Sequence, residues 1–387
     1  MKIVHIAPNS PYNEGWGYQE NILPKYQKKL GHDVTLIITN ETHEKGSIVK
    51  KACKDFYSSD GFRVITRNRV NSKIPIVGRT VTKIEVEDLL FDIKPDFIFY
   101  HGLISATIYQ VAKYKEKNPN CVIVQDNHLD YNIGFNPNSI KGSILKLIYR
   151  KIYRDNDKYI KKVYGVTPWR KKYAEEVFGV PQYKTDILIM GAPDDELCLT
   201  NKVRLRKEIR GKYKINENDF LIVTGGKIDD KKKIHLLMKA VNSMEDVKLL
   251  VFGEVNDNIK QKFEHELSSK IIWIGWIESM LVYQYFFASD LAFFPGQHSV
   301  LWEQACASKI PSVFERWEGM DHINNGGNSE LLFPINEKTI REKIEELKFT
   351  QKYFAMRTIA ESKKTDIYLY SRIAEKSLEA ITEGNKQ

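Results

Sequence analysis

The sequence predicts an α/β protein built from two doubly wound domains. Its 387 residues exceed what one typical hydrophobic core serves, so two domains are expected. Short apolar runs alternate with longer helical patterns, which is typical of doubly wound α/β folds. Many of these runs are continuously apolar, as in parallel strands that are covered on both faces. A turn-rich stretch at 191–195, followed by a charged helical segment at 201–213, predicts the boundary between the domains.

The predicted strands are the short apolar runs, and a final amphipathic segment is expected to form one helix over Asp366–Thr382. The strands are Ile3–Ala7, Val34–Ile38, Phe62–Thr66, Asp96–Tyr100, Val122–Gln125, Val163–Thr167, Ile187–Met190, Leu221–Thr224, Lys248–Phe252, Ile271–Ile274, Leu291–Phe294 and Ser312–Phe314.

Composition limits the partners and the compartment. The net charge of +9, from 59 basic and 50 acidic residues, suits an anionic partner such as a nucleoside diphosphate or an acidic lipid surface. Nucleic acid is not expected, because no zinc-finger, RNP or helix-turn-helix signature is found. The four cysteines lack metal or redox spacing, which fits a reduced cytoplasm. No apolar run approaches the roughly eighteen residues of a membrane span, and the N-terminus does not resemble a signal peptide.

A phosphate site is predicted after the strand at Phe220–Val223. The strand leads into Gly225 and Gly226, then Lys227 and a run of three lysines, before a helical pattern begins. Glycine lets the backbone approach a ligand, a helix N-terminus offers free N–H groups, and lysines add charge. A solvated basic turn is the alternative. The three consecutive lysines are Lys231, Lys232 and Lys233, and any of them could be the ligand.

A second block predicts a ligand-binding loop between a strand ending at Pro295 and a helix carrying Glu303 in its first turns. A carboxylate there can accept hydrogen bonds from ribose or sugar hydroxyls. Alternatively, it only interacts with the helix dipole. The loop residues are Gly296, His298, Ser299 and Val300.

Two further groups lie after strands of the first domain. Gly15, Trp16 and Gly17 form a glycine loop, but the dinucleotide fingerprint is incomplete, which disfavours a nicotinamide-dependent oxidoreductase. Asp126 and His128 follow a strand and are candidates for orienting a substrate, with a polar turn as the alternative. The histidines His5 and His101 are interpreted as structural.

Together these blocks resemble the family-4 retaining glycosyltransferases of the GT-B fold. The resemblance spans nearly the whole chain and depends on the order and spacing of several motifs. They are the glycine loop, Gly31-His32-Asp33-Val34, Val166-Thr167-Pro168-Trp169, Ile189–Asp194, Gly226-Lys227 with Lys232, and Glu303-Gln304-Ala305.

The resemblance implies two Rossmann-like domains facing a cleft. Residues 1–192 would bind the acceptor, residues 193–365 would bind a nucleotide-sugar donor, and a helix at 366–387 would cross back to the first domain. The implied activity is hexosyltransferase-type: transfer of a sugar with retention to a glycan or lipid-linked acceptor, in surface polysaccharide biosynthesis. The implied location is the cytoplasm, at the inner face of the cell membrane.

The resemblance also implies roles for individual residues. Lys232 and Lys227, with backbone N–H groups of the glycine loop at 15–17, would stabilise the departing diphosphate. Motif register favours Lys232 over its neighbours. Glu303 would bind ribose, and Asp126 or His128 would orient the reacting sugar or the acceptor. No cofactor or metal ion is expected, because fixed lysines can replace the metal.

Two departures from the family pattern leave an alternative open. The family usually has arginine where Lys227 stands, and lysine lacks the bidentate fork of arginine. The family also carries a Glu-x7-Glu pair, and its first glutamate falls on Pro295 here, so His298 or Ser299 would have to replace it. A catalytically silent GT-B-like binding or partner subunit is therefore the alternative function.

A basic segment over 141–172 carries lysine and arginine with apolar residues between them. Such a helix can lie on an anionic bilayer. A solvated charged face that packs on the first domain is the alternative, since Asp155 and Asp157 interrupt the positive charge.

Overall fold

The computed structural model describes residues 1–44, 47–71 and 81–382. The chain forms two compact units, one comprising Met1–Ile189 together with the segment from Ile373 onward, the other Met190–Arg372. Each unit contains one large, mainly parallel sheet, so the predicted α/β class is confirmed. In the described residues, no helix combines the length and the apolar character needed to cross a membrane.

The first unit is built on an eight-stranded sheet. Its strands are β1 (Lys2–Pro11), β2 (Asp33–Thr39), β5 (Asp55–Tyr57), β6 (Arg63–Arg67), β9 (Phe97–His101), β10 (Val122–Asn127), β11 (Lys162–Gly165) and β12 (Thr185–Ile187). Two separate antiparallel pairs are formed by β3 (Glu41–Glu44) with β4 (Ser47–Lys50) and by β7 (Val70–Asn71) with β8 (Thr82–Lys83). The order is β12-β11-β10-β9-β1-β2-β6-β5, and only the edge strand β5 runs antiparallel to its neighbour.

Helices connect these strands and cover the sheet. They are α1 (Gln19–Lys29), α2 (Glu87–Ile93), α3 (Ile108–Lys117), α4 (Ile140–Asn156) and α5 (Pro168–Tyr173), which continues into a π-helical turn at Ala174–Phe178. Residues 97–100 of the central strand β9 are fully buried. This burial is the physical reason why the strand reads as one uninterrupted apolar run.

The second unit has a six-stranded sheet in the order β15-β14-β13-β16-β17-β18, with every neighbouring pair parallel. Its strands are β13 (Phe220–Gly225), β14 (Val247–Phe252), β15 (Ile271–Gly275), β16 (Leu291–Phe294), β17 (Ser312–Glu315) and β18 (Ser329–Leu332). Its helices are α6 (Asp194–Leu197), α7 (Lys202–Lys212), α8 (Ile234–Asn242), α9 (Lys260–His265), α10 (Val282–Ala288), α11 (Leu301–Ala307), α12 (Glu337–Leu347) and α13 (Gln351–Glu361).

The strand order of each sheet indicates the edge at which a ligand is expected to bind. If the strands of each sheet are renumbered from 1 in chain order, with the edge strand β5 left out, both sheets contain the order 3-2-1-4-5-6. This is the strand order of the Rossmann fold. In such sheets ligands bind beyond the carboxyl ends of the strands, where the order reverses between the first and fourth strands. That point lies between β1 and β9 in the first unit and between β13 and β16 in the second.

The prediction of one helix over Asp366–Thr382 is wrong. The segment forms a 3-10 helix (Lys363–Tyr368), then α14 (Tyr370–Ser377) and α15 (Glu379–Thr382). Leu369 between them is extended, because the N–H of Ala192 donates to the carbonyl of Tyr368 and the N–H of Tyr370 donates to the carbonyl of Ala192. This strand-like pairing with a distant residue prevents a continuous helix. Residues 383–387 lie outside the described residues.

Candidate functional site

The lysine-rich loop follows β13 and separates its lysines into different environments. Lys227 and Lys231 are exposed. Lys233 forms an ion pair with the Glu315 carboxylate. Lys232 is half-buried, and its ammonium donates to the carbonyl oxygen of Gln297 at 2.6 Å. Among the three consecutive lysines, Lys232 is therefore the one directed at the loop that follows β16.

The loops after β13 and β16 touch backbone to backbone. The Gln297 N–H donates to the carbonyl of Lys231 at 3.0 Å. A Cβ on Gly296 would lie 2.2 Å from the Lys231 oxygen and 2.4 Å from the Lys232 Cα. Only glycine permits this approach, and the contact lies where the strand order reverses.

Gly226 allows a second close approach in the same loop. Its φ is +107°, a backbone conformation that favours glycine, and a Cβ there would lie 3.1 Å from the Cδ1 of Leu301. Val300 precedes α11, and its carbonyl accepts the N–H of Gln304 at 3.0 Å. The glycines of both motifs thus bring the β13 loop against the start of α11.

Partial burial makes Lys232 sensitive to pH. Loss of water around the ammonium, opposed by the nearby Asp229 carboxylate, lowers the pKa of Lys232 to about 8. The Asp229 side chain also accepts the backbone N–H of Lys232, which fixes the turn. An anion placed beside Lys232 would restore the protonated form.

Glu303 is a fully buried carboxylate held by two imidazoles. Its Oε1 accepts hydrogen bonds from the Nε2 atoms of His298 at 2.9 Å and His322 at 2.8 Å. Burial opposes ionisation, but the two histidines outweigh it and lower the pKa of Glu303 to about 2. Over the part of the chain that the structure describes, its Oε2 and the hydroxyl of Ser299 are buried without a hydrogen-bond partner. The site therefore holds an ionised carboxylate, one oxygen of which is buried without a hydrogen-bond partner in the described residues.

In the first unit, the structure brings Asp126 and His128 together. Asp126 lies in β10 and is fully buried. Its Oδ1 accepts the Gly102 N–H at 2.8 Å, and its Oδ2 faces the ring nitrogens of His101 at 2.7 Å and His128 at 3.3 Å. His101 is therefore part of this cluster, which the sequence analysis did not predict.

The glycine loop lies between β1 and α1 of the first unit. Gly15 has a φ of +78°, and the ring of Trp16 stacks on His43 with centroids 5.2 Å apart. The structure assigns no phosphate-binding contact to Gly15, Trp16 or Gly17, so their role stays a prediction.

Among the residues that the structure describes, two clusters have the composition of metal sites. In each, the ligand atoms of two histidines and one carboxylate lie within 4.8 Å of one another. They are His101, Asp126, His128 and His298, Glu303, His322. Such sets suit a divalent transition metal, so the expectation of metal independence stays a prediction.

Sequence reasoning missed His322, Glu315 and the carbonyl of Gln297. His322 lies in a three-residue 3-10 helix, Asp321–Ile323, far along the chain from Glu303 and outside any motif. Glu315 is the last residue of β17. Its position at the carboxyl end of a predicted parallel strand, where ligands bind in such sheets, could have indicated that it lies near the site.

Known protein families and solved structures resemble this chain in sequence and in fold. Residues 206–364 match the family described as Glycosyl transferases group 1. Among solved structures, a glycosyltransferase from Rickettsia africae ESF-5 shares the fold with a TM-score of 0.71 at 18% identity, covering 100% of this chain and 99% of that one. No curated protein matches the sequence.

Two other solved structures extend the comparison. Alr3699/HepE from Anabaena in complex with UDP has a TM-score of 0.69 at 14% identity, with 99% of this chain and 100% of that chain covered. Sucrose-phosphate synthase from Thermosynechococcus elongatus has a TM-score of 0.66 at 14% identity, with 99% of each chain covered. The fold is GT-B, and the family match is confined to residues 206–364 of the second unit.

The Gly296 contact generates the first testable prediction. Gly296→Ala should destabilise the second unit by about 1–3 kcal/mol through overpacking of the two loops. Because Lys232 is carried by the displaced backbone, its contact with Gln297 should be lost as well. Thermal unfolding followed by circular dichroism measures the first effect.

Gly211→Ala is the matched control. Gly211 lies inside α7, and a Cβ there meets nothing within 4 Å. That variant should gain roughly 0.5–1 kcal/mol, because alanine favours the helix interior. Equal stability of Gly296→Ala and the wild type would contradict the close backbone contact.

Proposed function

We propose that the chain is a retaining glycosyltransferase that moves a sugar from a nucleoside-diphosphate sugar to a glycan or lipid-linked acceptor. The observation that carries the proposal is that one loop at the switch point of the second unit contacts both groups: the carbonyl of Gln297 accepts from half-buried Lys232, and the His298 side chain donates to the ionised carboxylate of Glu303. The family match and the GT-B neighbours support it. One neighbour, HepE, was crystallised with UDP-glucose.

The difficult step is departure of the diphosphate, on which negative charge develops. The Lys232 ammonium would stabilise that charge, and exposed Lys227 would add to it. The backbone N–H groups of residues 15–17 are proposed to contribute. Such preorganised donors stabilise charge strongly, because they need not reorient during the reaction.

Glu303 is proposed to bind the ribose of the donor. Its Oε2 would accept a hydrogen bond from a ribose hydroxyl, while His298 and His322 donate to Oε1 and fix the carboxylate plane. In the first unit, Asp126 and His128 are proposed to orient the reacting sugar or the acceptor. No protein nucleophile is required if a donor phosphate oxygen takes the acceptor proton on the same face of the sugar.

The alternative is a catalytically silent GT-B-like partner subunit. Pro295, at the position expected for the first glutamate of the pair, favours it. Retention of Lys232 and Glu303 in an organised site favours the enzyme.

A nucleotide screen tests the proposal. UDP, GDP, ADP and CMP and their common sugar conjugates are added without metal, and thermal unfolding is followed. A ligand at roughly 100 times its Kd adds about 2.7 kcal/mol of stability, so one diphosphate should raise the melting temperature selectively. The shift should be lost in Lys232→Ala and Glu303→Gln and retained in Lys231→Ala, whose side chain is exposed.

The same variants separate the two candidate functions. With the identified donor, Lys232→Ala should lower kcat about 100-fold or more, as removal of an oxyanion donor does. Selective binding without donor turnover, with or without added Mg²⁺, would support the silent subunit. No shift with any nucleotide would contradict a donor site built on Lys232.

The lowered pKa of Lys232 predicts a pH dependence of binding. Below about pH 8 the free protein carries the ammonium, and above it the neutral amine is favoured. Affinity for the diphosphate should therefore fall as pH rises from 7 to 9, with proton uptake on binding. Lys232→Arg, which stays charged, should remove this dependence. Isothermal titration at several pH values measures it, and a flat wild-type profile would exclude Lys232 as the phosphate ligand.

Location at the inner face of the cell membrane, in surface polysaccharide synthesis, is proposed on the basis of α4. Its exposed residues include Ile140, 88% exposed, and Leu147, 68% exposed. The basic residues Lys141, Lys151 and Arg154 are also exposed on this helix. Apolar side chains flanked by cations suit the surface of an anionic bilayer.

Co-sedimentation with vesicles tests this membrane surface. The protein should bind phosphatidylglycerol vesicles, not phosphatidylcholine vesicles, and the double variant Ile140→Ser, Leu147→Ser should weaken binding. Val203→Ser is the control, since Val203 is equally exposed in the second unit. Equal binding by both variants would assign the exposed face of α4 to solvent.

A further inference from the structure

A basic cavity lies in the first unit, at the edge of the sheet opposite to the one that carries Asp126 and His128. It has a volume of about 550 Å³ and is bordered by the first residues of β10 and by the segment that enters β11. Asp126 and His128 lie at the other end of β10. Because β9, β10 and β11 are parallel, the length of the strands separates the cavity from the edge at which a substrate is expected.

Five lysines line this cavity, and no acidic residue does so among the described residues that border it. The lysines come from four separate elements: the last turn of α3, a 3-10 turn at 157–159, the entry to β11 and a 3-10 turn at 182–184. Two tyrosines, Tyr159 and Tyr183, also line the cavity, and the hydroxyl of Tyr159 donates to the carboxylate of Glu116. The five lysines are Lys115, Lys158, Lys161, Lys162 and Lys184.

Carboxylates from outside the lining neutralise only part of this positive charge. Lys184 forms an ion pair with Asp157 at 2.9 Å. The Asp186 carboxylate lies 3.9 Å from the ammonium of Lys162 and is shared with Lys376, whose ammonium lies 4.0 Å away. Because Coulomb attraction weakens with distance, one carboxylate divided between two lysines at this range leaves both cations incompletely compensated.

The other three lysines form no ion pair with a carboxylate in the part of the chain that the structure describes. The Lys115 ammonium donates to the backbone carbonyls of Pro119 and Cys121. Lys158 lies over the ring of a neighbouring tyrosine, with its Nζ 4.6 Å from the ring centroid, and Lys161 is exposed. Crowded ammonium groups repel one another, and an anion that lies among them relieves this repulsion.

We propose that this cavity binds a ligand that carries two or more phosphate groups. Ammonium groups are strong charge-assisted donors to phosphate oxygens. The volume lies within the range of about 300–1,000 Å³ that small-molecule pockets occupy, and it exceeds what one phosphate group fills. The ligand is either a soluble polyphosphorylated molecule or the phosphorylated headgroup of a lipid, since both offer the chemistry that the lysines recognise. The cavity uses none of the residues of the proposed donor site, so the proposal does not depend on the proposed function.

Isothermal titration with tripolyphosphate tests the soluble form of the ligand. The wild-type protein should bind it, with an affinity that falls as salt rises, because salt screens contacts between exposed charges. The double variant Lys158→Ala, Lys161→Ala should bind about tenfold more weakly or worse, and Lys158→Arg, Lys161→Arg should restore binding. Neither side chain is paired with a carboxylate, so the alanine variant should keep the melting temperature of the wild type.

Two control variants locate the binding. Lys28→Ala, Lys50→Ala removes the same charge from exposed lysines of the first unit that do not line the cavity, and it should bind tripolyphosphate as the wild type does. Lys232→Ala should retain the site that the cavity variant loses, so failure of the proposed donor site would be recognised separately. Equal weakening by the cavity variant and by Lys28→Ala, Lys50→Ala would show attraction by net charge alone and would overturn the proposal.

Vesicle co-sedimentation identifies a lipid as the source of the phosphate groups. For a lipid ligand, phosphatidylcholine vesicles that contain phosphatidylinositol bisphosphate should sediment the wild type and not Lys158→Ala, Lys161→Ala, and excess tripolyphosphate should release the protein. Equal sedimentation of both proteins, together with tripolyphosphate binding that requires the two lysines, would assign a soluble ligand. The proposal is wrong if neither probe shows binding that depends on Lys158 and Lys161.

Discussion

The second unit depends on one backbone contact, the approach of Gly296 to the peptide of Lys231 and Lys232. Parallel strands place the loops after β13 and β16 at the same edge of the sheet. Strand order alone does not bring the two loop backbones into contact, because a side chain at position 296 would keep them apart. With no Cβ at Gly296, the two loops close on each other and the Lys232 ammonium reaches the carbonyl of Gln297. Partial desolvation of the lysine follows from this closeness, and with it the lowered pKa that makes its charge responsive to an incoming anion.

Each unit stabilises a buried carboxylate in the same way, by hydrogen bonds to the rings of two histidines. An unpaired buried charge is strongly unfavourable, and two charge-assisted hydrogen bonds offset that cost. The two sites differ in what is left over. Both oxygens of Asp126 accept hydrogen bonds within the protein, so His128 is the member of this cluster that could contact a ligand. Glu303 keeps one buried oxygen without a hydrogen-bond partner in the described chain. The first carboxylate has its hydrogen-bonding capacity used within the protein, and the second retains the capacity that the proposed ribose contact would use.

Much of the scaffold was predictable, because parallel strands buried on both faces read as uninterrupted apolar runs. Strand β18 was missed, since its residues 330–332 are only half-buried. The terminal helix was predicted wrongly, because the pairing of Leu369 with Ala192 is non-local. At the site, motif spacing indicated Lys232 and Glu303. The sequence could not show that Lys233 is bound by Glu315 or that His322 joins His298 on Glu303, since both contacts arise from the fold.

The histidines around Glu303 also bear on the departure at Pro295. A first glutamate there would add a second carboxylate near the proposed diphosphate site. His298 lies three residues further on and donates to the carboxylate that remains, so this loop contributes a hydrogen-bond donor in place of a negative charge. With His322 it holds Glu303 ionised inside the protein, which a lone glutamate at that depth could not sustain. The change at Pro295 is thus accompanied by a local arrangement in which His298, His322 and Glu303 satisfy one another, which favours the proposed donor site over gradual loss of the site.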